Sequence, residues 1–175
     1  MVATTLFLGG ARSGKSRLAQ AAAEQWGGPL TYLATGEARD DEMTARIERH
    51  RADRGARWCT VECPIDLPQA IASVTTGAAV VDCLTLWLSN LMLGGHDLQR
   101  ATGDLLHAIG SAAAPLFIVA NEVGLGIVPQ TALGRAFRDE AGRLNQTVAA
   151  QADQVLLVVA GMVLPLRPYG PAPGG

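Results

Sequence analysis

The chain has 175 residues, a formal net charge of −2 and 49% hydrophobic residues, a composition typical of one folded domain. It has no block of basic residues, so we expect neither nucleic acid nor an anionic membrane surface as a partner. No apolar run approaches the length of a membrane span, and no positively charged region precedes the first such run. We therefore expect no membrane span, no signal peptide and a cytoplasmic location.

The first predicted strand, Thr4–Leu8, leads through a glycine-rich motif into a predicted helix, Lys15–Gln25. The motif, Gly9–Ser16, matches G-x-x-x-x-G-K-[ST], the phosphate-binding P-loop. Its glycines let successive backbone N–H groups point at phosphate oxygens, and the helix N-terminus adds partial positive charge. Lys15 is the only lysine in the chain, and its compact ammonium suits the β- and γ-phosphates better than a guanidinium would. The motif predicts a nucleoside triphosphate site in which Lys15 is catalytic.

The second predicted strand, Leu30–Ala34, is followed by a predicted helix over Asp40–Asp53. Met43, Ile47 and His50 share one face of this helix, and the two apolar residues indicate that this face is turned toward the protein. The pattern leaves two interpretations of His50 open. It is either a reactive side chain among arginines or an ordinary half-buried histidine on a solvated helix.

The third and fourth predicted strands, Arg57–Glu62 and Ala78–Asp82, each end in a carboxylate. The run ending in Asp82 has the form of a Walker B element, which holds Mg²⁺ beside the P-loop serine, Ser16. Glu62 is either a metal ligand or proton acceptor at the nucleotide, or an ordinary residue at a strand end.

The fifth predicted strand, Leu116–Ala120, is followed by NEVGLGIVP (121–129), whose glycines and proline favour a shaped loop over the site. Beyond it, a long predicted helix places three arginines either at phosphates or in solvent. These are Arg135, Arg138 and Arg143.

The alternation of predicted strands and helices indicates an α/β protein with a mostly parallel sheet and helices on both faces. Ligands of such sheets bind at the carboxyl ends of the strands. The remaining predicted elements are the helices Leu67–Val74, Thr85–Met92, Leu98–Ala113 and Ala132–Ala152 and the strand Gln154–Val159.

The chain is predicted to form one nucleotide-binding catalytic domain, residues 1–163, with a Pro/Gly-rich mobile tail at 164–175. Cys59, Cys63 and Cys83 lack a second pair of metal ligands, so we expect buried, reduced thiols rather than a zinc site. A regulatory GTPase is excluded, because its guanine-reading Asn-Lys-x-Asp element needs a second lysine. A small-molecule kinase or nucleotidyltransferase remains, against a RecA-like ATPase module.

Several segments resemble one family, the bifunctional adenosylcobinamide kinase/adenosylcobinamide-phosphate guanylyltransferases of cobalamin biosynthesis. The resemblance runs from about Thr5 to Gly161 and implies a RecA-like P-loop fold, a homotrimer and GMP transfer through a covalent histidine. The segments are GGARSGKSR (9–17), DDEMTARIERHR (40–51), TVEC (60–63), NEVGLGIVP (121–129) and FRDEAGRLNQ (137–146).

By matching motif, the resemblance implies that His50 accepts GMP from GTP. GTP, or ATP in the kinase step, would bind with Mg²⁺, and the corrinoid adenosylcobinamide would be the small-molecule substrate. The implied product is adenosylcobinamide-GDP; a simple P-loop small-molecule kinase and a RecA-like ATPase assembly module are the alternatives. The residues implied to line the nucleotide site are Gly9, Gly10, Ala11, Arg12, Ser13, Gly14, Lys15, Ser16, Thr35, Gly36, Glu37, Arg51, Ala52, Asp53, Arg54, Glu62 and Asp82.

Overall fold

The structure of the protein, a computed structural model, describes residues 3–37 and 57–166. Within these residues, seven strands form one sheet in the order β3-β2-β4-β5-β1-β6-β7. The first six strands along the chain run parallel, and β7 is antiparallel to β6. The strands are β1 Thr4–Gly9, β2 Leu30–Ala34, β3 Trp58–Glu62, β4 Ala78–Asp82, β5 Leu116–Asn121, β6 Gln154–Val159 and β7 Met162–Pro165.

Helices cover both faces of the sheet, because successive strand residues point to opposite faces and both faces are apolar. One face packs against α1 through side chains such as Phe7 and Val80. The opposite face packs against the other described helices through side chains such as Leu6 and Ile118. The helices are α1 Lys15–Glu24, α2 Leu67–Ser73, α3 Leu84–Leu93, α4 Leu98–Gly110 and α5 Ala132–Gln151.

The predicted α/β class and all six predicted strands are confirmed, with ends that agree to within one residue. The predicted helices in the described part of the chain are also confirmed. The largest difference is at α4, which ends at Gly110 rather than Ala113, because glycine weakens the last turn and Ser111 follows as the C-cap. The predicted helix at 40–53 lies outside the described residues.

The strand β7 is absent from the sequence prediction and crosses the predicted start of the tail at residue 164. Leu164 and Pro165 pair with Leu157 and Leu156, and the Leu166 N–H donates to the Val155 carbonyl at 2.8 Å. The Pro/Gly-rich composition of this region favoured a mobile tail, but proline is compatible with an edge strand, where its missing N–H interrupts no inner ladder. The sheet therefore extends to Pro165. Residues 167–175 lie outside the described residues.

No helix in the described part of the chain combines the length and the apolar character that crossing a membrane requires.

Candidate nucleotide-binding site

The predicted site residues that the structure describes lie at or near the carboxyl ends of the parallel strands. Gly9, Glu62, Asp82 and Asn121 are the last residues of β1, β3, β4 and β5. Open parallel sheets bind their ligands at the carboxyl ends of their strands.

The glycine-rich loop after β1 has the backbone geometry of an anion cradle. Gly14, at the N-cap of α1, is left-handed with φ 101°, and Arg12 also has a positive φ of 56°. No side-chain cap occupies the N-terminus of α1, which begins at Lys15 directly after the loop. A phosphate would find there both hydrogen-bond donors and the positive end of the helix dipole.

Lys15 folds back over this loop. Its ammonium donates to the Gly10 carbonyl at 2.6 Å and to the Ser13 hydroxyl at 3.4 Å, and the residue is only 5% exposed. A buried ammonium held beside a phosphate cradle is a strong local positive charge, because little water screens it. The role of Lys15 toward the β- and γ-phosphates stays a prediction.

The β6–β7 hairpin supports the loop through backbone contacts. The Gly161 N–H donates to the Ser13 carbonyl at 2.9 Å. A Cβ on Gly9, which has φ 153°, would lie 2.3 Å from the Val158 carbonyl oxygen. Gly9 is therefore required for the close approach of β6 as well as for the turn.

Replacing Gly9 with alanine should lower the free energy of unfolding by roughly 1–3 kcal/mol, because the added methyl meets backbone that cannot move aside easily. Gly10→Ala is the matched control, since a Cβ there has nothing within 4 Å. Its effect should stay within about 0.5 kcal/mol. Urea unfolding of both variants measures the difference; equal stabilities would mean that the loop relaxes without cost.

The two strand-end carboxylates lie at different distances from the P-loop strand. Ala34 of β2 pairs with Asp82 on one side and with Glu62 on the other, so both side chains lie on the same face of the sheet. At about 4.8 Å per strand, Asp82 is roughly 10 Å from β1 and Glu62 roughly 19 Å. This separation places Asp82 on the phosphate side, whereas Glu62 lies too far away to share an ion with Ser16.

The residues present fit a Mg²⁺ site that is completed by a nucleotide. Among the described residues, no group of three His, Cys, Asp or Glu side chains could hold a metal alone. Mg²⁺ in phosphate sites takes one or two protein oxygens and fills its shell with phosphate oxygens and water. Ser16 and Asp82 would supply the protein oxygens.

Thr35 is fully buried, and its hydroxyl both donates to the Cys83 carbonyl at 2.7 Å and accepts from the Cys83 N–H at 2.8 Å. The Asn90 amide of α3 donates to the carbonyls of Thr35 and Pro64 at 2.8 and 3.1 Å. These bonds tie together the segments after β2, β3 and β4. The geometry favours positioning of the following Gly36 and Glu37 as the function of Thr35, rather than contact of its own hydroxyl with a nucleotide.

The loop after β5 begins beside the P-loop. The Glu122 N–H donates to the Gly9 carbonyl at 3.0 Å, and the Asn121 N–H donates to the Thr85 hydroxyl at 2.7 Å. The Asn145 amide of α5 donates to the Asn121 carbonyl at 3.2 Å. The loop is therefore anchored to the site at its start.

The three arginines of α5 bond to groups within α5 or in the loop directly before it. Arg135 donates to the carbonyls of Pro129 and Gln130, which closes the loop after β5 onto the helix. Arg138 pairs with Asp139 and Arg143 with Glu140. Of the two interpretations, phosphate contacts or side chains in solvent, these local contacts favour the second.

The cysteines differ from the prediction at one position, because Cys59 is exposed while Cys63 and Cys83 are buried. Cys59 lies on β3, the strand at one edge of the sheet in the described part of the chain. Burial, together with the charge of Asp66, raises the pKa of Cys63 to about 12. Burial and the neighbouring Asp82 raise that of Cys83 to about 11. Both thiols are therefore neutral at pH 7 and are not nucleophiles.

The sequence analysis did not identify four polar residues that form hydrogen bonds at the carboxyl end of the sheet: Tyr32, Thr85, Asn90 and Asn145. Tyr32, Thr85 and Asn90 are buried polar residues in otherwise apolar elements, and that feature is a usable signal. Asn145 lies in a helix with many charged residues, which gives no such signal. The sequence does not show which backbone groups they reach. The predicted His50 and the residues Arg51–Arg54 lie outside the described residues.

A strand, a P-loop, a helix and a carboxylate two strands away define a P-loop nucleotide-binding protein of the NTPase-like class. Residues 5–166 match the family described as cobinamide kinase / cobinamide phosphate guanyltransferase, and the chain belongs to that family.

Two curated relatives agree with the family match. A Pseudomonas aeruginosa protein named bifunctional adenosylcobalamin biosynthesis protein CobP is 46% identical over 167 residues, covering 93% of this chain and 96% of its own. A Salmonella typhimurium protein named bifunctional adenosylcobalamin biosynthesis protein CobU is 41% identical over 179 residues, covering 93% of this chain and 98% of its own.

Proposed function

We propose that this chain phosphorylates adenosylcobinamide and then transfers GMP from GTP, through a guanylylated His50, to give adenosylcobinamide-GDP. The observation that supports this most is the family match over residues 5–166, which spans the P-loop and every described site residue.

A cytoplasmic homotrimer is the expected state. Leu125 and Ile127, which are 89% and 97% exposed in the loop after β5, suit a contact between subunits.

In the kinase step, a primary hydroxyl of adenosylcobinamide attacks the γ-phosphorus of the nucleotide. The bond from that phosphorus to the bridging oxygen breaks, the nucleoside diphosphate leaves, and the hydroxyl proton passes to solvent. The P-loop N–H groups and Lys15 hold the phosphates in line and neutralise the charge that develops on them. When bound, Mg²⁺ adds to this neutralisation, with Ser16 and Asp82 as its protein partners.

In the transferase step, a neutral ring nitrogen of His50 attacks the α-phosphorus of GTP and pyrophosphate leaves. The phosphate of adenosylcobinamide phosphate then attacks the same phosphorus, and the bond to the imidazole breaks. Histidine suits this route because it is nucleophilic near neutral pH and leaves readily once it is protonated. Arg51, the next residue along the predicted helix, and Arg54, just past its predicted end at Asp53, would stabilise the phosphate oxygens.

Purified protein incubated with adenosylcobinamide and either γ-labelled or α-labelled GTP tests this proposal. Both labels should enter corrinoid products, the γ label first. A simple kinase would transfer only the γ label. An ATPase assembly module would hydrolyse nucleotide and label no corrinoid.

Asp82→Asn should raise the Mg²⁺ concentration for half-maximal kinase activity about tenfold or more, because it removes the charge that favours the metal. Glu62→Gln is the matched control at the end of β3, roughly 19 Å from β1. It should leave the Mg²⁺ dependence unchanged, and any effect should fall on the KM for GTP. Magnesium titrations of both variants decide this. A shift in Glu62→Gln equal to that in Asp82→Asn would contradict the assigned positions.

A further inference from the structure

The buried phenol of Tyr32 contacts the carboxylate that we assign to the metal. Tyr32 lies in β2 and is 4% exposed, and its hydroxyl donates to Oδ2 of Asp82 at 2.5 Å. Ala34, two residues further along β2, is the register partner of Asp82. Residues two apart on a strand share a face, so Tyr32 lies on the face of the sheet to which Asp82 belongs.

The ring of Tyr32 is held from the side away from Asp82. It packs edge-to-face against Trp58 of β3, with ring centroids 6.1 Å apart and planes at 80°. The Trp58 indole in turn donates to the Glu24 carboxylate at the end of α1, at 3.1 Å. A phenol fixed by a neighbouring strand and helix is a rigid donor, because little rotamer freedom remains for it to lose.

An aspartate at a strand end can turn its carboxylate through several orientations, and only some of them face a nucleotide. A carboxylate has about four acceptor sites on its two oxygens, so one bond to a phenol leaves capacity for a metal or a metal-bound water. A bond from a neutral donor to the ionised oxygen is charge-assisted and therefore directional. It fixes the orientation without cancelling the charge that the metal needs.

We propose that Tyr32 is a positioning residue that orients Asp82 toward the nucleotide-bound Mg²⁺. The proposal rests on the proposed role of Asp82. It adds that a donor on β2 holds the aspartate in position. In the sheet, β2 lies on the side of β4 away from the P-loop strand β1. If Tyr32 merely finds an acceptor for its buried hydroxyl, its loss changes stability but not metal binding.

The test is Tyr32→Phe, which keeps the ring and removes the hydroxyl. Binding of Mn²⁺ to the complex of protein with the non-hydrolysable analogue guanosine 5′-(β,γ-imido)triphosphate is measured by electron paramagnetic resonance. We expect Tyr32→Phe to weaken Mn²⁺ binding about tenfold and to raise the Mg²⁺ concentration for half-maximal activity by a similar factor. Affinity for the analogue in EDTA should stay unchanged, which also checks that the variant is folded.

Trp58→Phe is the matched control, because it keeps an aromatic ring against Tyr32 and leaves the phenol in place, and removes only the indole bond to Glu24. Its Mn²⁺ affinity should stay within about twofold of the wild type, whatever its stability. The double variant Tyr32→Phe/Asp82→Asn should bind Mn²⁺ no more weakly than Asp82→Asn alone, since the phenol acts through the carboxylate.

The outcomes separate the two proposals. Unchanged Mn²⁺ affinity in Tyr32→Phe together with a weakened Asp82→Asn overturns the positioning role and leaves the role of Asp82 intact. Unchanged affinity in both variants overturns the metal role of Asp82 and the inference with it. Additive losses in the double variant also overturn the inference, because they would mean that Tyr32 acts independently of Asp82.

Discussion

Lys15→Ala should lower both the kinase and the guanylyl-transfer rates by about 10²–10³-fold, the usual cost of removing one preorganised charge from a transition-state site. Both reactions require that the P-loop and Lys15 bind the triphosphate. Lys15 is 5% exposed and its ammonium lies 2.6 Å from the Gly10 carbonyl, so its charge is held at the loop. Rates with saturating nucleotide, measured separately for the two half-reactions, give the effect.

Lys15→Arg is the sharper variant, because it keeps the charge and changes only its shape. A planar guanidinium does not fit where a compact ammonium bends back over the loop, so we expect arginine to restore little of either rate. Arg100→Ala is the matched control: it removes one positive charge from an exposed pair with Asp104 on α4. It should leave both rates unchanged. Near-wild-type rates in Lys15→Arg would show that charge alone matters.

The sequence predicted those parts of the fold that local pattern determines. The P-loop and the flanking elements β1 and α1 were predictable because the phosphate chemistry fixes residue types within eight consecutive positions. The strand β7 was missed because composition suggested a tail, whereas pairing with β6 depends on a turn at Ala160 and Gly161 with positive φ at both residues. At β7, strand pairing with β6 determined the structure, and the Pro/Gly-rich composition did not.

The relative positions of the site residues depend on strand order, which the sequence does not show. Glu62 and Asp82 look equivalent as strand-end carboxylates, and only the order β3-β2-β4-β5-β1 places one of them close to the P-loop. The contact of Tyr32 with Asp82 joins residues fifty positions apart on adjacent strands. No periodicity in either strand predicts it. His50 remains a prediction from the sequence and from the family.

His50→Ala should abolish guanylyl transfer and leave phosphorylation of adenosylcobinamide largely intact. The kinase step requires no histidine, whereas the transferase step as proposed forms a bond to one. Wild-type protein incubated with α-labelled GTP and Mg²⁺ should retain label after denaturation. A phosphoramidate is labile in acid and stable in alkali, unlike a serine ester, so acid but not alkali should release the label.

The chain offers a matched control, since it has three histidines and His107 is exposed on α4. His107→Ala should be labelled as fully as the wild type, which excludes a nonspecific reaction of imidazoles with GTP. Addition of adenosylcobinamide phosphate to labelled wild type should move the label from protein to corrinoid at the rate of turnover. If His50→Ala is still labelled, or if wild type never is, the covalent route fails. The simple kinase then becomes the better description, because γ-phosphate transfer needs only the P-loop, Lys15 and the metal carboxylate.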